Sequence, residues 1–492
     1  MTTLPGLNAT VRNYVAADSA PRYGDFLSSS GSADYELANS LVPLRNKSRN
    51  LYRNSAAQRR FVQLMRVNLV GESGFRFQSR VRMATNEMQL DRSLNRRVEN
   101  EWNAWWKRPT VDGRMTGLDL QKQAVAAFCN DGEVIWEIVY GREYPSGIAI
   151  NPVESDMLDE ALISTNPATG NEIRMGVEIT RAGRPVAYWF LTDHPGDLHG
   201  LHRPMSRDRH RRVPAERVLH LYDRVRAGQT RGEPPAAPVI NPVKMLDGYR
   251  EAEVMGRRLR AAIMGFFTKD MPVAEQVTEL ADRQEEDEPF EMDIEPGRLK
   301  SLPFGYDFKQ FDPGGVQADY HQFESQVKKD QAMGYGISAF SHGMETAGVS
   351  YSTGRSVLTE DRDYYKQMQA FFIGGLLEPL FNIWIGRRIL EPDTQIPTSR
   401  VPMVIDKAKF RGRGWDWVDP AKEVSANAEA LATKQTSLTR VAASRGVDIS
   451  DLLDEIQEEQ ALAAERGLTL DYTGGNTGQN ADEGNADDTG DT

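Results

Sequence analysis

The sequence predicts an α+β fold, mainly helical, built from several packed units. Three observations carry this. The 492 residues are 39% hydrophobic and 26% charged, an ordinary globular balance in a chain with room for roughly two to four packed units. Apolar residues recur at helical spacing through most long segments, while short alternating runs gather between 133 and 222. Beyond 240 the pattern is almost entirely helical and broken by glycine- and proline-rich connectors.

Taken in order, residues 1–40 mix Gly, Ser, Ala and Asp with scattered aromatics and read as an extended arm. From Pro43 to Val70 the pattern is helical. Leu51, Phe61, Leu64, Met65 and Leu69 share a face, and Arg45, Lys47, Arg49, Arg53, Arg59, Arg60 and Arg66 supply a charged one. Gly71 and Gly74 end it. A second helix over 88–107 finishes in Trp102, Trp105 and Trp106, whose spacing brings the rings together as core. Residues 118–130 form a third helix, stopped by the turn Asn130-Asp131-Gly132. Residues 133–140 then alternate, with Val134, Trp136, Ile138 and Tyr140 on one side and Glu133 and Glu137 on the other, which predicts a half-buried strand. Strands at 175–180 and 186–191 flank a turn, and 218–222 is one more.

The chain then changes character. A Gly/Pro-rich connector at 228–238 leads to a helix over 239–267, with Asn241-Pro242 at its start. Residues 268–315 hold turn residues and an acidic run. Residues 316–333 are helical, and 334–352 is a Gly/Ser-rich loop. A long helix follows at 353–388, on which Val357, Tyr364, Met368 and Phe371 recur at helical spacing, and which Gly374-Gly375 and Pro379 should bend. A short strand near 401–405 precedes helices at 419–434 and 448–466.

Composition excludes several function classes. The single cysteine, Cys129, leaves no internal disulfide framework and no thiolate zinc cage. No run approaches the ~20 apolar residues of a bilayer span, and the start lacks the basic flank and apolar stretch of a secretory signal; the chain reads as suited to a reducing cytoplasm. No G-x-x-x-x-G-K-[ST] loop is present, and Gly412-Arg413-Gly414 lacks the third glycine of a dinucleotide fingerprint. His194, His199, His202 and His210 crowd one segment but sit among Pro, Gly, Arg and Asp, so they read as a solvated loop with a tight turn at His194-Pro195-Gly196-Asp197 rather than as metal ligands. No nucleophile elbow appears and no carboxylates pair into a general acid and base. The expectation is a non-enzymatic protein with no cofactor and no metal. A net charge of −12 argues against wrapping DNA by phosphate neutralisation.

Five stretches, in order, resemble the lambda-like family of phage portal proteins. They are 44–54 leading to Val67-Asn68-Leu69-Val70-Gly71-Glu72-Ser73-Gly74; His194-Pro195-Gly196-Asp197; Val218-Leu219-His220-Leu221-Tyr222 with Arg226-Ala227-Gly228-Gln229-Thr230-Arg231-Gly232; Ser350-Tyr351-Ser352-Thr353-Gly354-Arg355-Ser356 opening a helix that reaches Leu377-Glu378-Pro379-Leu380-Phe381; and Arg413-Gly414-Trp415-Asp416-Trp417-Val418-Asp419-Pro420 followed by Arg445-Gly446-Val447-Asp448.

The resemblance implies a ring, commonly of twelve subunits, at one vertex of a tailed-phage capsid. The divisions it implies are an N-terminal arm at 1–40, a wing at 41–238, stem helices at 239–267 and 316–333, a clip at 268–315, and a tunnel loop at 334–352. A bent helix returning to the wing at 353–418, crown helices at 419–466 and an acidic tail at 467–492 complete the chain. It implies DNA-facing residues Ser338, Phe340, Ser341, His342, Met344 and Glu345, with Lys328, Lys329, Arg355 and Arg362 near the backbone. The clip surface would be Glu285, Glu286, Asp287, Glu288 and Glu291. Implied partners are further copies of the chain, the large terminase, head–tail connector or neck proteins, the major capsid or scaffold protein, and double-stranded DNA passing without sequence preference; no membrane is implied. The protein would reside in the virion after assembly in the host bacterial cytoplasm. The runner-up reading is a nuclease-like, DNA-processing subunit of the packaging machinery.

Residues 471–492 hold Asp471, Asp482, Glu483, Asp487, Asp488 and Asp491, with no Lys or Arg and no large apolar residue after Tyr472. Such a segment cannot offset its ordering entropy by burial, so the sequence predicts disorder. Truncation after Leu470 is expected to leave rings intact in electron micrographs; their loss would show that the tail is structural.

Overall fold

The computed structural model describes residues 31–83, 90–197, 209–262, 265–269, 306–310, 320–343, 350–415, 420–445, 447 and 449–468. The described helices and strands run α1 Ala33–Asn54, α2 Ala56–Met65, β1 Arg76–Ser79, α3 Arg92–Trp106, α4 Gly117–Asp131, β2 Glu133–Tyr140, β3 Ile148–Val153, β4 Ser164–Thr165, β5 Glu172–Arg174, β6 Val177–Ile179, β7 Pro185–Leu191, β8 His210–Pro214 and β9 Val218–Tyr222. They continue as α5 Ile240–Ala262, β10 Gly265–Lys269, β11 Tyr306–Gln310, α6 Tyr320–Tyr335, α7 Ala339–Gly343, α8 Tyr351–Phe372, α9 Glu378–Arg388, α10 Val401–Asp406, β12 Ala408–Arg411, α11 Pro420–Ala432, α12 Leu438–Ser444 and α13 Ile449–Glu465.

The first helix starts ten residues before Pro43, where Ser32 caps it by accepting from the Tyr35 amide at 3.2 Å, so 33–40 is helix and not arm. Pro43 lies inside it. An internal proline costs about 3 kcal/mol, and burial of Leu37 and Leu41 against Met175 offsets this, since each buried leucine contributes about 1.5–3 kcal/mol. Arg45 is not on a solvated face either. It is fully buried and donates to Asp156 at 2.6 Å and Glu160 at 3.2 Å, while Arg49 forks onto Asp131 at 2.6 and 2.8 Å.

Helix α4 carries a capping box, with Thr116 and Asp119 bonding reciprocally, and ends at Gly132 in the left-handed region. A Cβ at Gly132 would stand 2.1 Å from the Glu233 carbonyl carbon, so glycine is required by the close approach of the connector after β9 as well as by the turn. The strand β2 that follows has the predicted bounds but not the predicted exposure. It is the centre of a three-stranded antiparallel sheet, β3-β2-β9, and every residue from Glu133 to Ile138 is buried. The alternation of Glu with apolar residues marks two buried faces, one of which is ionic.

A five-stranded antiparallel meander, β4-β5-β6-β7-β8, shares a second, smaller core with the three-stranded sheet, Val177, Ile179, Tyr188, Phe190 and Val213 packing with Leu158 and with Ile135 of β2 and Val218 of β9. The larger core joins both halves of the chain. Trp102 lies 5.1 Å from Trp106, 5.2 Å from Trp105 and 5.2 Å from Trp384, and Phe77 stacks on Phe381 at 4.4 Å. Strand β1 pairs antiparallel with β12, Phe77 facing Phe410 across more than three hundred residues of chain. The expected strand at 401–405 is instead helix α10. Pro402 sits at its first turn, where a missing N–H costs nothing, and the strand lies a few residues later as β12. Helix α12 was not anticipated. The helix expected over 239–267 stops at Ala262, and 265–269 pairs as a strand with 306–310.

The long helix bends the pattern as expected of Gly374-Gly375 and Pro379, through a wide turn over Ile373–Leu377 that joins α8 to α9. Gly375 lets Leu221 of β9 approach to where a Cβ would meet it at 2.2 Å. By length and composition the helix Ser352–Arg388 is apolar enough to cross a bilayer, contrary to the sequence reading. In this fold Phe372, Leu376, Leu377, Leu380, Phe381, Trp384 and Ile385 belong to the main core. Val357, Tyr364, Met368 and Phe371 are half-buried beside it.

A fully buried ion pair ties the two sheets, beside the partly exposed Arg211–Glu137 bridge from β8 to β2. Arg231 and Glu133 are both fully buried. The guanidinium donates to Glu133 at 2.9 Å from Nε and 2.5 Å from Nη2, and to the carbonyls of Ser155, Leu158 and Met175 at 2.9–3.1 Å. The Gly232 amide and the His220 ring complete the carboxylate's shell at 3.2 and 3.0 Å. Arg231→Met should therefore lower stability by about 3–5 kcal/mol, because Glu133 is left buried and unpaired. The attraction of Arg231 and the hydrogen bonds from His220 hold Glu133 below the usual carboxylate range despite its burial, and burial holds the His220 ring below its ordinary value. In both cases the unfolded chain binds more protons, so stability is present at neutral pH and lost as pH falls below about 6. Denaturation curves from pH 7 to 4 should show this loss; a variant with wild-type stability and pH response would refute the role of the pair.

Candidate functional site

The segment expected as a free loop, 334–352, begins as folded structure. Tyr335 and Ile337 are buried in the main core, so apolar packing pins the start of a segment that its glycines and serines marked as loop. The Tyr335 ring stacks on Phe61 at 4.4 Å, and its hydroxyl donates to Gln58 at 2.7 Å. Gly336, with φ +73°, turns the chain out of α6. Ser338 then caps α7, accepting from the Ser341 amide at 3.1 Å.

The anchor beneath α7 is Asp361, 4% exposed on α8. Its carboxylate accepts from the Ser338 amide at 2.8 Å, the Ser338 hydroxyl at 2.5 Å and the Ser341 hydroxyl at 2.5 Å. From the other side Arg60 donates to the Ser341 carbonyl at 3.3 Å, and the buried His342 ring donates through Nε2 to the Ala57 carbonyl at 3.2 Å. Burial depresses the His342 pKa, so the ring is held neutral, in the donor tautomer that this carbonyl requires. The root of the loop is thus bolted to α2 and α8, and what remains beyond it, 344–349, lies outside the described residues.

The expected DNA-facing residues separate accordingly. Ser338, Ser341 and His342 serve as anchors. Phe340, Ser341 and Arg362 line one cavity of about 300 Å³ with Arg60, Asp361, Tyr365 and Trp415. Lys328 is engaged by Glu324 at 3.2 Å, and Glu324 also takes Arg250 at 2.5 Å, which fixes α6 against α5. Lys329 is exposed on α6 and Arg355 on α8, apart from that cavity. Met344, Glu345 and the acidic residues Glu285, Glu286, Asp287, Glu288 and Glu291 lie outside the described residues.

Of the four clustered histidines, 199 and 202 also lie outside. His194 makes the expected turn, the Asp197 amide donating to its carbonyl at 3.0 Å, and its ring lies 3.2 Å from Glu154. Asp156 beside it is committed to Arg45 and Arg49, whose charge opposes a cation there. His210 is not in a solvated loop but in β8, 2.6 Å from Asp159. Sequence reasoning missed Asp361, which nothing distinguishes from its acidic neighbours on α8. The serines three apart at 338 and 341 were the available signal for a capped turn.

A family model for phage portal proteins of the lambda family matches residues 20–369. The chain is 30% identical over 439 residues to a probable portal protein of Halomonas phage phiHAP-1, covering 88% of this chain and 82% of that one. It is 21% identical over 459 residues to portal protein B of Escherichia phage lambda, covering 85% and 83%. Among solved structures, a chain from the neck of an empty GTA particle, computed with C6 symmetry, aligns with a TM-score of 0.47 at 12% identity over 83% of this chain and 93% of that one.

Replacing Asp361 by Ala removes the shared acceptor of three donors. The expected cost is about 1–3 kcal/mol, felt locally as faster amide exchange over 338–343 while the main core stays protected. Unchanged exchange at Ser338 and Ser341 would show that other contacts hold the turn.

Proposed function

Because the chain belongs to the lambda family of phage portal proteins, we propose that it is the repeating subunit of a closed ring at one vertex of a tailed-phage capsid, through which double-stranded DNA passes. Its role is structural and not enzymatic, which removes the nuclease-like alternative. The single observation that carries the ring is the state of α5 and α6. They pack on each other through Tyr249 and Phe323, 5.1 Å apart, and through Arg250 and Glu324. Met245, Val254 and Met255 on α5, and Met333 on α6, are nevertheless 48–75% exposed. A helix pair with apolar residues on its outward faces needs neighbours, and closed rings of identical subunits supply them.

In this reading 239–267 and 316–333 are the stem, 268–315 the clip, 334–352 the tunnel loop and 419–466 the crown. The pairing of β1 with β12 supports a return of 353–418 to the wing at 41–238. The clip would meet terminase during packaging and neck proteins later, and the outer wing would meet capsid or scaffold protein. Twelve is the subunit number the family resemblance favours. DNA would slide past without sequence preference, since a conduit must not hold its cargo and a subunit of net charge −12 does not attract phosphate overall. Assembly in the host cytoplasm and residence in the virion belong to the same proposal.

Electron microscopy and native mass measurement of the purified protein test it. The expected result is a ring with a central hole and little monomer at micromolar concentration. A monodisperse monomer would overturn it.

A further inference from the structure

Seven cations and a single acid, Glu72, line a cleft of about 1040 Å³ where the end of α2, β1, α4, β12 and the approach to α13 meet. Arg59, Arg66, Arg76, Lys122, Arg411, Arg413 and Arg445 supply this charge. This is an anomaly twice over. The chain as a whole carries net charge −12. Elsewhere its arginines are paired with care: Arg45, Arg49, Arg231 and Arg388 each have carboxylates within 3 Å.

In the cleft, among the described residues, Arg59, Arg66, Arg76, Lys122, Arg411 and Arg413 form no salt bridge, although Asp119 lies near enough to Lys122 to feel its charge. Arg411 donates to the Val447 carbonyl at 2.9 Å and Arg413 to the Val67 carbonyl at 2.8 Å, while Arg59 lies over the Tyr52 ring at 5.8 Å. Arg76 and Arg411 even stand directly opposite each other in the β1–β12 ladder, an arrangement that is destabilising unless an anion lies between them. A concave site with this lining fits an extended acidic peptide. A duplex would instead need a basic face or stripe to follow its two rows of phosphates.

We propose that the cleft is the docking site of the chain's own acidic C-terminal segment, 471–492. The charge is complementary: six carboxylates with no Lys or Arg against the cationic walls. The chain path also favours it. Val447, whose carbonyl holds Arg411, lies two residues before α13. The 17 residues of α13 carry the chain about 25 Å along its axis. Returning that distance takes roughly eight extended residues, which leaves Asp482, Glu483, Asp487, Asp488 and Asp491 able to reach the walls. The interaction is electrostatic and needs no apolar stripe, so it agrees with the tail being dispensable for assembly. It does not depend on the conduit reading, because it concerns a site within the subunit.

The test uses the full chain, the chain ended at Leu470, and a fluorescein-labelled peptide of residues 471–492, read by anisotropy. The truncated protein should bind the peptide at 50 mM salt, at least tenfold more weakly at 300 mM, and the full chain should bind it at least tenfold more weakly than the truncated one. The double variant Arg59→Glu/Lys122→Glu, both on helix surfaces, should weaken binding to the truncated protein at least tenfold, and the milder Arg66→Gln should weaken it measurably. Arg53→Glu, on exposed α1 outside the cleft, should leave it unchanged. Absence of binding at 50 mM salt, equal binding by the full and truncated chains, or indifference to the cleft variants would overturn the proposal. So would tighter binding of a 22-base-pair duplex or of a peptide of residues 282–295 at the same cleft.

Discussion

The fold depends on a buried charge that cannot be left alone. Arg231 reaches from the connector after β9 into the gap between the two sheets and binds Glu133 on the central strand of one, while three of its hydrogen bonds go to backbone carbonyls that lead into the other. Moving either sheet would strand an ion in a dry interior, at a cost of several kcal/mol. Geometry is therefore fixed at a place where apolar packing alone would tolerate sliding. The same logic holds α1 in place through Arg45 and Arg49, which tie it to Asp131 at the end of α4 and to Asp156 in the turn before the meander.

Helix α6, paired with α5, is joined to that base. The junction is the residue run 335–342, where Tyr335 enters the core, Ser338 and Ser341 share Asp361, and His342 donates to α2. A hinge would have exposed backbone and few buried partners; this junction has the opposite. Helix α8 carries both the anchor Asp361 and, at its end, the core residue Phe372, and the wide turn that follows adds Leu376, so this stretch couples the 335–342 junction to the main core.

Charge is distributed with as much structure as the apolar residues. Acid is concentrated in 282–295 and in the last twenty-two residues, while base gathers in the cleft between β12 and α2. The net value of −12 therefore hides an uneven distribution along the chain.

By itself the sequence determined the local elements and the family. Helix α4, strand β2 and strand β9 were legible with their bounds, because capping residues, a left-handed glycine and short β-branched runs act over a few residues. Five motifs in order identified the portal family, and the helix–insert–helix order was visible. What only the tertiary structure decided is everything that depends on partners distant in the chain. Glu133 and Glu137 read as solvent-facing until Arg231 and Arg211 arrived to neutralise them. Residues 401–405 read as a strand until Pro402 opened a helix and β12 paired with β1. The 334–352 segment read as a free loop until Asp361 and Ala57 accepted its donors, and the basic cleft is assembled from five separate stretches. Local conformation follows from neighbours a few residues away, whereas the burial of a charge follows from which carboxylate or carbonyl the fold brings to it, and no periodicity in the chain records that.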